Sequence, residues 1–125
     1  MRFNGLVLRL LEGRAHRLLP SGLTEICYTG PVSGSAIHLP ATSVVDGNRF
    51  LVVAARPERK RWWRAFRHPQ PARLLRSGSR YDVTGHVLED AERCAALETY
   101  LVAHPGSRRG IGPDTPVVAF ELVEP

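Results

Sequence analysis

Alternation of apolar and polar positions dominates the chain beyond its first twenty residues, and it predicts strands more often than helices. Leu23-Thr-Glu-Ile-Cys-Tyr-Thr29 alternates as a half-buried strand does, every second side chain directed to a core. Gly30-Pro-Val-Ser-Gly34 reads as a turn and Ala36 to Val45 as a second strand. Asp46-Gly47-Asn48 signals a short hairpin, because glycine accepts the positive φ that tight hairpins need. Arg49 to Ala55 returns as a third strand, its unbroken apolar run suited to the middle of a sheet. Pro71 to Arg76 and Arg80 to Leu88 form a second hairpin about Ser77-Gly78-Ser79, and Pro116 to Val123 is a last strand.

Three helical stretches interrupt this pattern. An N-terminal amphipathic helix places Leu8, Leu11, Leu18 and Leu19 on one side and ends at the breaker cluster Leu19-Pro-Ser-Gly22. After the third strand, Pro57 occupies a first helical position, where its missing N–H is no loss. Arg59, Trp62, Trp63 and Phe66 then share one helical face, while Lys60, Arg64 and Arg67 share another. Core packing is the default role for such rings, and solvent exposure is as good a reading of the cations as function. The third helix starts from Asp90 as N-cap, carries Cys94, Leu97 and Leu101 on a buried stripe, and ends at His104-Pro105-Gly106. Ser107 to Thr115 follows as a Gly-rich loop. Six strands with inserted helices predict an α+β protein built on a six-stranded antiparallel barrel over residues 23–125, with residues 1–22 as helix and linker.

Composition narrows the chemistry. At 125 residues the chain suits one domain, and 17 Lys+Arg against 12 Asp+Glu give a formal +5. Lys60 is the sole lysine, and arginine's planar fork favours phosphates and carboxylates, although Arg-preferring codon usage explains the bias equally well. Cys27 and Cys94 lie in unrelated contexts and read as buried thiols rather than a disulfide or metal pair. His and Cys show no metal-ligand spacing, and no Ser/His/Asp or paired-carboxylate pattern supports a hydrolase. No apolar run is long enough to span a membrane, and Arg9 breaks the only leader-like segment, so a cytoplasmic protein is expected. A nucleic-acid module is the weakest reading of the Arg and Trp interleaving in residues 56–67, since the rings fall on one face.

A set of landmarks carries a resemblance. Tyr28-Thr-Gly-Pro-Val-Ser-Gly-Ser-Ala-Ile-His-Leu-Pro40, the Asp46-Gly47 hairpin, Val52-Val-Ala-Ala-Arg56, Lys60 before Trp62-Trp63, and the Arg67-His68-Pro69 exit follow in order. Together with Tyr100 and the His-Pro end of the last helix, they resemble the deazaflavin (F420)-dependent nitroreductase family from about Leu23 to Val123. The resemblance implies a split β-barrel related to FMN-binding barrels, with coenzyme F420 in a groove along it. It places Ser33, Gly34, Ser35 and the start of strand two, including His38, at the cofactor's anionic tail. Pro40, Ala54, Ala55 and Arg56 would line the ring, with Lys60 and Trp62 nearby. His38 also reads as a plain surface strand residue.

The implied activity is hydride transfer to a small-molecule acceptor such as a quinone or nitro compound, a bound water, Tyr28 or Tyr100 supplying the proton. No specific nucleic acid is expected; weak membrane-surface contact through the N-terminal helix and a homodimer are secondary expectations. The chain departs from the family at Pro31, Val32 and Ile37, where basic residues are usual, and at Ala65, where asparagine is. Those departures favour the alternative, a split barrel that holds FMN, a tetrapyrrole or a lipid without turnover.

Overall fold

The computed structural model describes residues 22–55 and 61–123. The expected N-terminal helix therefore falls outside the described residues, as do Arg56, Lys60 and the start of the tryptophan helix. Six strands appear among the described residues: β1 (Leu23–Thr29), β2 (Ala36–Asp46), β3 (Arg49–Val53), β4 (Gln70–Arg76), β5 (Ser79–Val87) and β6 (Val117–Leu122). They close into an antiparallel barrel in the order β1-β2-β3-β6-β5-β4, with β4 returning to pair with β1. A six-stranded α+β barrel is thus the architecture that the alternation predicts. The one α-helix among the described residues, α1 (Asp90–Ala103), lies between β5 and β6.

Strand period explains which side chains fill the barrel. On β1, Thr24, Ile26 and Tyr28 point in, while Glu25 and Cys27 point out. Ile26, Tyr28, Phe50, Val52, Leu74, Val83, Val118 and Phe120 fill the interior. A second cluster sits outside it, where Leu51, Val53, Val117 and Ala119 on β3 and β6 meet Ala96 and Tyr100 of α1. Both faces of β3 and β6 are therefore covered, which accounts for their unbroken apolar runs.

One end of the barrel is closed by a short 3-10 helix, Trp62–Phe66. This is a tighter coil than the α-helix expected there, and Phe66 is its buried member. Phe66 packs against Tyr28 and Phe120 with ring centroids 5.0 and 5.2 Å apart. The other end is polar. Thr24 Oγ1 and Ser43 Oγ share a hydrogen bond of 2.7 Å, one of the two donating to the other and the other to the Gly22 carbonyl, and Arg76 Nε donates to Ser43 Oγ at 2.9 Å. Ser43→Ala is expected to lower stability by about 1–3 kcal/mol, because buried Thr24 and half-buried Arg76 lose a shared partner. A urea midpoint unchanged from wild type would show that water replaces the hydroxyl without loss.

Two expectations for α1 are corrected. Asp90 is the first helical residue, at φ 49°, and Glu89 holds the cap position without a side-chain bond. Ala96 and Tyr100 form the buried side; Leu97 and Leu101 are half-buried and Cys94 is exposed. At about 100° per residue, Cys94 lies about 200° round the helix from Ala96, so it cannot share that stripe. Cys27 is half-buried, so neither cysteine is the buried thiol that composition suggests.

Candidate functional site

The longest strand changes partner along its length. Residues Ala36 to Thr42 of β2 pair with β1, whereas Ser43 to Asp46 pair with β3. β3 ends at Val53, and among the described residues no strand lies against the other edge of residues 36–42. The barrel wall is therefore split beside the exit of β3. Pro40 suits this segment, because a ladder to β1 tolerates proline only if its nitrogen faces the other edge.

The sequence-derived site residues distribute unevenly around this split. Ser33, Gly34 and Ser35 are exposed in the turn between β1 and β2, Pro40 is half-buried on β2, and Ala55 is half-buried after β3. Ala54 is wholly buried, its N–H donating to the Pro116 carbonyl at 2.9 Å, so it belongs to the packed wall. Trp62 is half-buried and stands edge-on to Phe66. His38 projects from the outer face of β2 onto Glu25 of β1, 2.8 Å away. Arg56 and Lys60 lie outside the described residues.

Backbone donors in the turn are largely engaged. Gly30 N donates to the Ser35 carbonyl and Gly34 N to the Gly30 carbonyl, both at 2.9 Å. Ser35 N donates to Ser33 Oγ at 3.2 Å. Pro31 has no N–H, and Val32 is fully exposed at the tip. The turn is closed on itself, which leaves the serine hydroxyls and the Val32 and Ser33 amides as donors. Tyr28 and Tyr100 are buried, and burial raises the pKa of both phenols, which stay protonated in the barrel interior and between α1 and the barrel wall.

Other donors sit at the capped end, and sequence reasoning missed them. Trp63 Nε1 and Gln70 Nε2 are buried without an acceptor among the described residues. Such orphaned donors are rare in folded proteins. Arg64 and Arg67 are exposed cations whose guanidinium groups lie 5.7 and 5.1 Å from the Trp63 ring centroid. Two acceptor-less donors and two cations on one short segment suit a ligand rich in carbonyl, phosphate or carboxylate oxygens. A deazaflavin with an anionic tail has that chemistry, and so do FMN and haem.

No protein-family model matches the chain, and no curated protein does. Solved structures match well. An F420-H2-dependent reductase, FDR-A, superposes with a TM-score of 0.68 at 19% identity, over 82% of this chain and 96% of its own. The chain has a split-barrel fold. A protein solved as a domain-swapped dimer matches with a TM-score of 0.71 at 19% identity, over 95% and 96% of the two chains. The haem storage protein HutZ from Vibrio cholerae matches with a TM-score of 0.63 at 10% identity, over 100% and 93%. Identities this low establish shared architecture alone, and that architecture serves more than one cofactor. Among the described residues no helix is long and apolar enough to cross a membrane.

Proposed function

We propose that this barrel is an F420-dependent reductase that holds the deazaflavin in the split beside β3 and passes hydride to a quinone or nitro compound. The observation that carries the reading is the parting of β2 from β3, which opens the barrel wall, in a chain that also holds orphaned donors on the capping helix (Trp63) and at the start of β4 (Gln70). F420, when bound, supplies the hydride; the chain supplies position and field. Pro40 and Ala55 flank the ring, with Arg56, Lys60 and Trp62 nearby, while Ser33, Gly34 and Ser35 belong to the tail end of the groove; His38 is engaged by Glu25 on the outer face of β2. With the Gly30, Gly34 and Ser35 amides engaged and no basic residue at positions 31, 32 or 37, the tail is held chiefly by the arginines at the capped end. A homodimer fits the architecture, as in the neighbour solved as a domain-swapped dimer.

Both tryptophans lie on the capping helix, so their emission reports on this end of the barrel. Titration with F420 is expected to quench that emission at micromolar concentrations or below, with weaker quenching in Arg56→Ala and Lys60→Ala. Reduction of menadione or a nitroarene by F420H2 should follow. Quenching by FMN or haem with none by F420 would replace this reading with that of a binder without turnover. The closed turn and its missing basic residues favour that second reading.

A further inference from the structure

Glu25, Cys27 and His38 form a relay on the outer face of β1 and β2. His38 Nδ1 lies 2.8 Å from Glu25 Oε1, and His38 Nε2 lies 3.7 Å from Cys27 Sγ. Strand register builds it: Cys27 stands directly across from His38, and Glu25 is two residues away on the same face of β1. An ionised carboxylate can only accept, so Nδ1 carries the ring proton and donates it to Glu25. Nε2 is then a bare acceptor facing the thiol. The Glu25 side chain is only 9% exposed, yet its Oε2 has no partner among the described residues. A buried carboxylate oxygen left unpartnered is costly, and packing alone gives no reason to keep it. His38, with its side chain 46% exposed, and half-buried Cys27 remain open to a small molecule.

We propose that Cys27 is a nucleophilic thiol that accepts an acyl group from a thioester or activated ester, with His38 as general base and Glu25 positioning the imidazole. This site does not depend on a cofactor in the split. Burial first, and Glu25 second, push the Cys27 thiol up, while Arg73 acts in the opposite direction. The resting group is therefore a thiol, and its proton passes to His38 Nε2 as the sulfur–carbon bond forms. The carbonyl π pair moves to oxygen, where Arg73, across the ladder on β4 and tied to Asp82, is the neighbouring cation. When that pair returns, the bond to the leaving group breaks. The leaving oxygen or sulfur keeps the bonding pair and takes the proton from His38. The products are S-acyl Cys27 and a free alcohol or thiol, and no oxidant or reductant enters.

The chain contains its own control. Cys94, its other cysteine, is exposed on α1, with an Arg93 nitrogen 3.9 Å from its sulfur and no histidine bonded to it among the described residues. With p-nitrophenyl acetate and peptide mass mapping of the full chain, acetyl is expected on Cys27 at least about tenfold faster than on Cys94. His38→Gln should slow Cys27 labelling about 100-fold and leave Cys94 unchanged. Glu25→Gln keeps an acceptor for Nδ1–H but removes the charge, so the pH midpoint of Cys27 labelling should fall. The charged groups that set that midpoint are Glu25 on β1, His38 itself on β2, Arg73 on β4 and Asp82 on β5. Thermal melts show which variants are folded, and the wild-type ratio of the two cysteines decides the matter without any variant. Cys94 labelled first, or Cys27 labelling unaltered in folded His38→Gln, would overturn the proposal.

Discussion

Replacing Phe66 with alanine is expected to lower stability by about 3–5 kcal/mol, the range for emptying a buried aromatic site. The ring is wholly enclosed and is the buried member of the capping helix. Tyr28, Phe120 and Trp62 surround it at centroid distances of 5.0, 5.2 and 6.1 Å. A 3-10 helix this short has little stability of its own, so its seat on the barrel rests chiefly on that side chain, with Trp62, Trp63 and Ala65 packed partly beside it. Urea denaturation should show the loss, and native-state tryptophan emission should shift to the red as the helix loosens. A loss below about 1 kcal/mol with unshifted emission would mean that the helix is held by something else.

Gly85→Ala is the second large effect, and it acts on the same packing from the opposite side. A methyl group there would lie 2.6 Å from Phe66 Cδ1 and 2.7 Å from Phe120 Cε1. Both rings are fully buried and cannot swing into solvent. Overpacking of this kind costs about 1–3 kcal/mol, or a fall in Tm of about 4 °C per kcal/mol in a domain of this size. The two substitutions should not add. In a Phe66→Ala background the methyl at residue 85 enters the vacated space, and the double-mutant cycle should show about 0.5–3 kcal/mol of compensation. Strict additivity would place the glycine's role elsewhere.

Much of this barrel is legible in the chain because strand period and turn chemistry are local. Leu23–Thr29 follows its alternation, Asp46-Gly47-Asn48 turns as its glycine requires with φ 63° at Gly47, and the Ser77-Gly78 hairpin forms. Gly85 carried a local signal as well, since a glycine inside a strand marks close approach, and here that approach is by two phenylalanine rings. What is not legible depends on register. Nothing in residues 23–42 shows that Cys27 faces His38 across a ladder, or that β2 leaves one neighbour for another at Ser43. Helix phase misled too. Cys94, Leu97 and Leu101 make a plausible stripe by spacing, but Leu51, Val53, Val117 and Ala119 decide which side of α1 meets the barrel. The tryptophans behave as their spacing suggests, packing partly against the core, while the orphaned indole nitrogen of Trp63 emerges only from the folded surroundings.

The exchange of neighbours along β2 also leaves an open strand edge, with a consequence for open-ended strand-on-strand growth. A strand whose outer amides and carbonyls lack a ladder partner is a template on which a second chain can polymerise. Here that template carries a proline at its fortieth residue, deprived of the donor an incoming strand would need. Pro40 thus discourages fibre-like growth along the open edge.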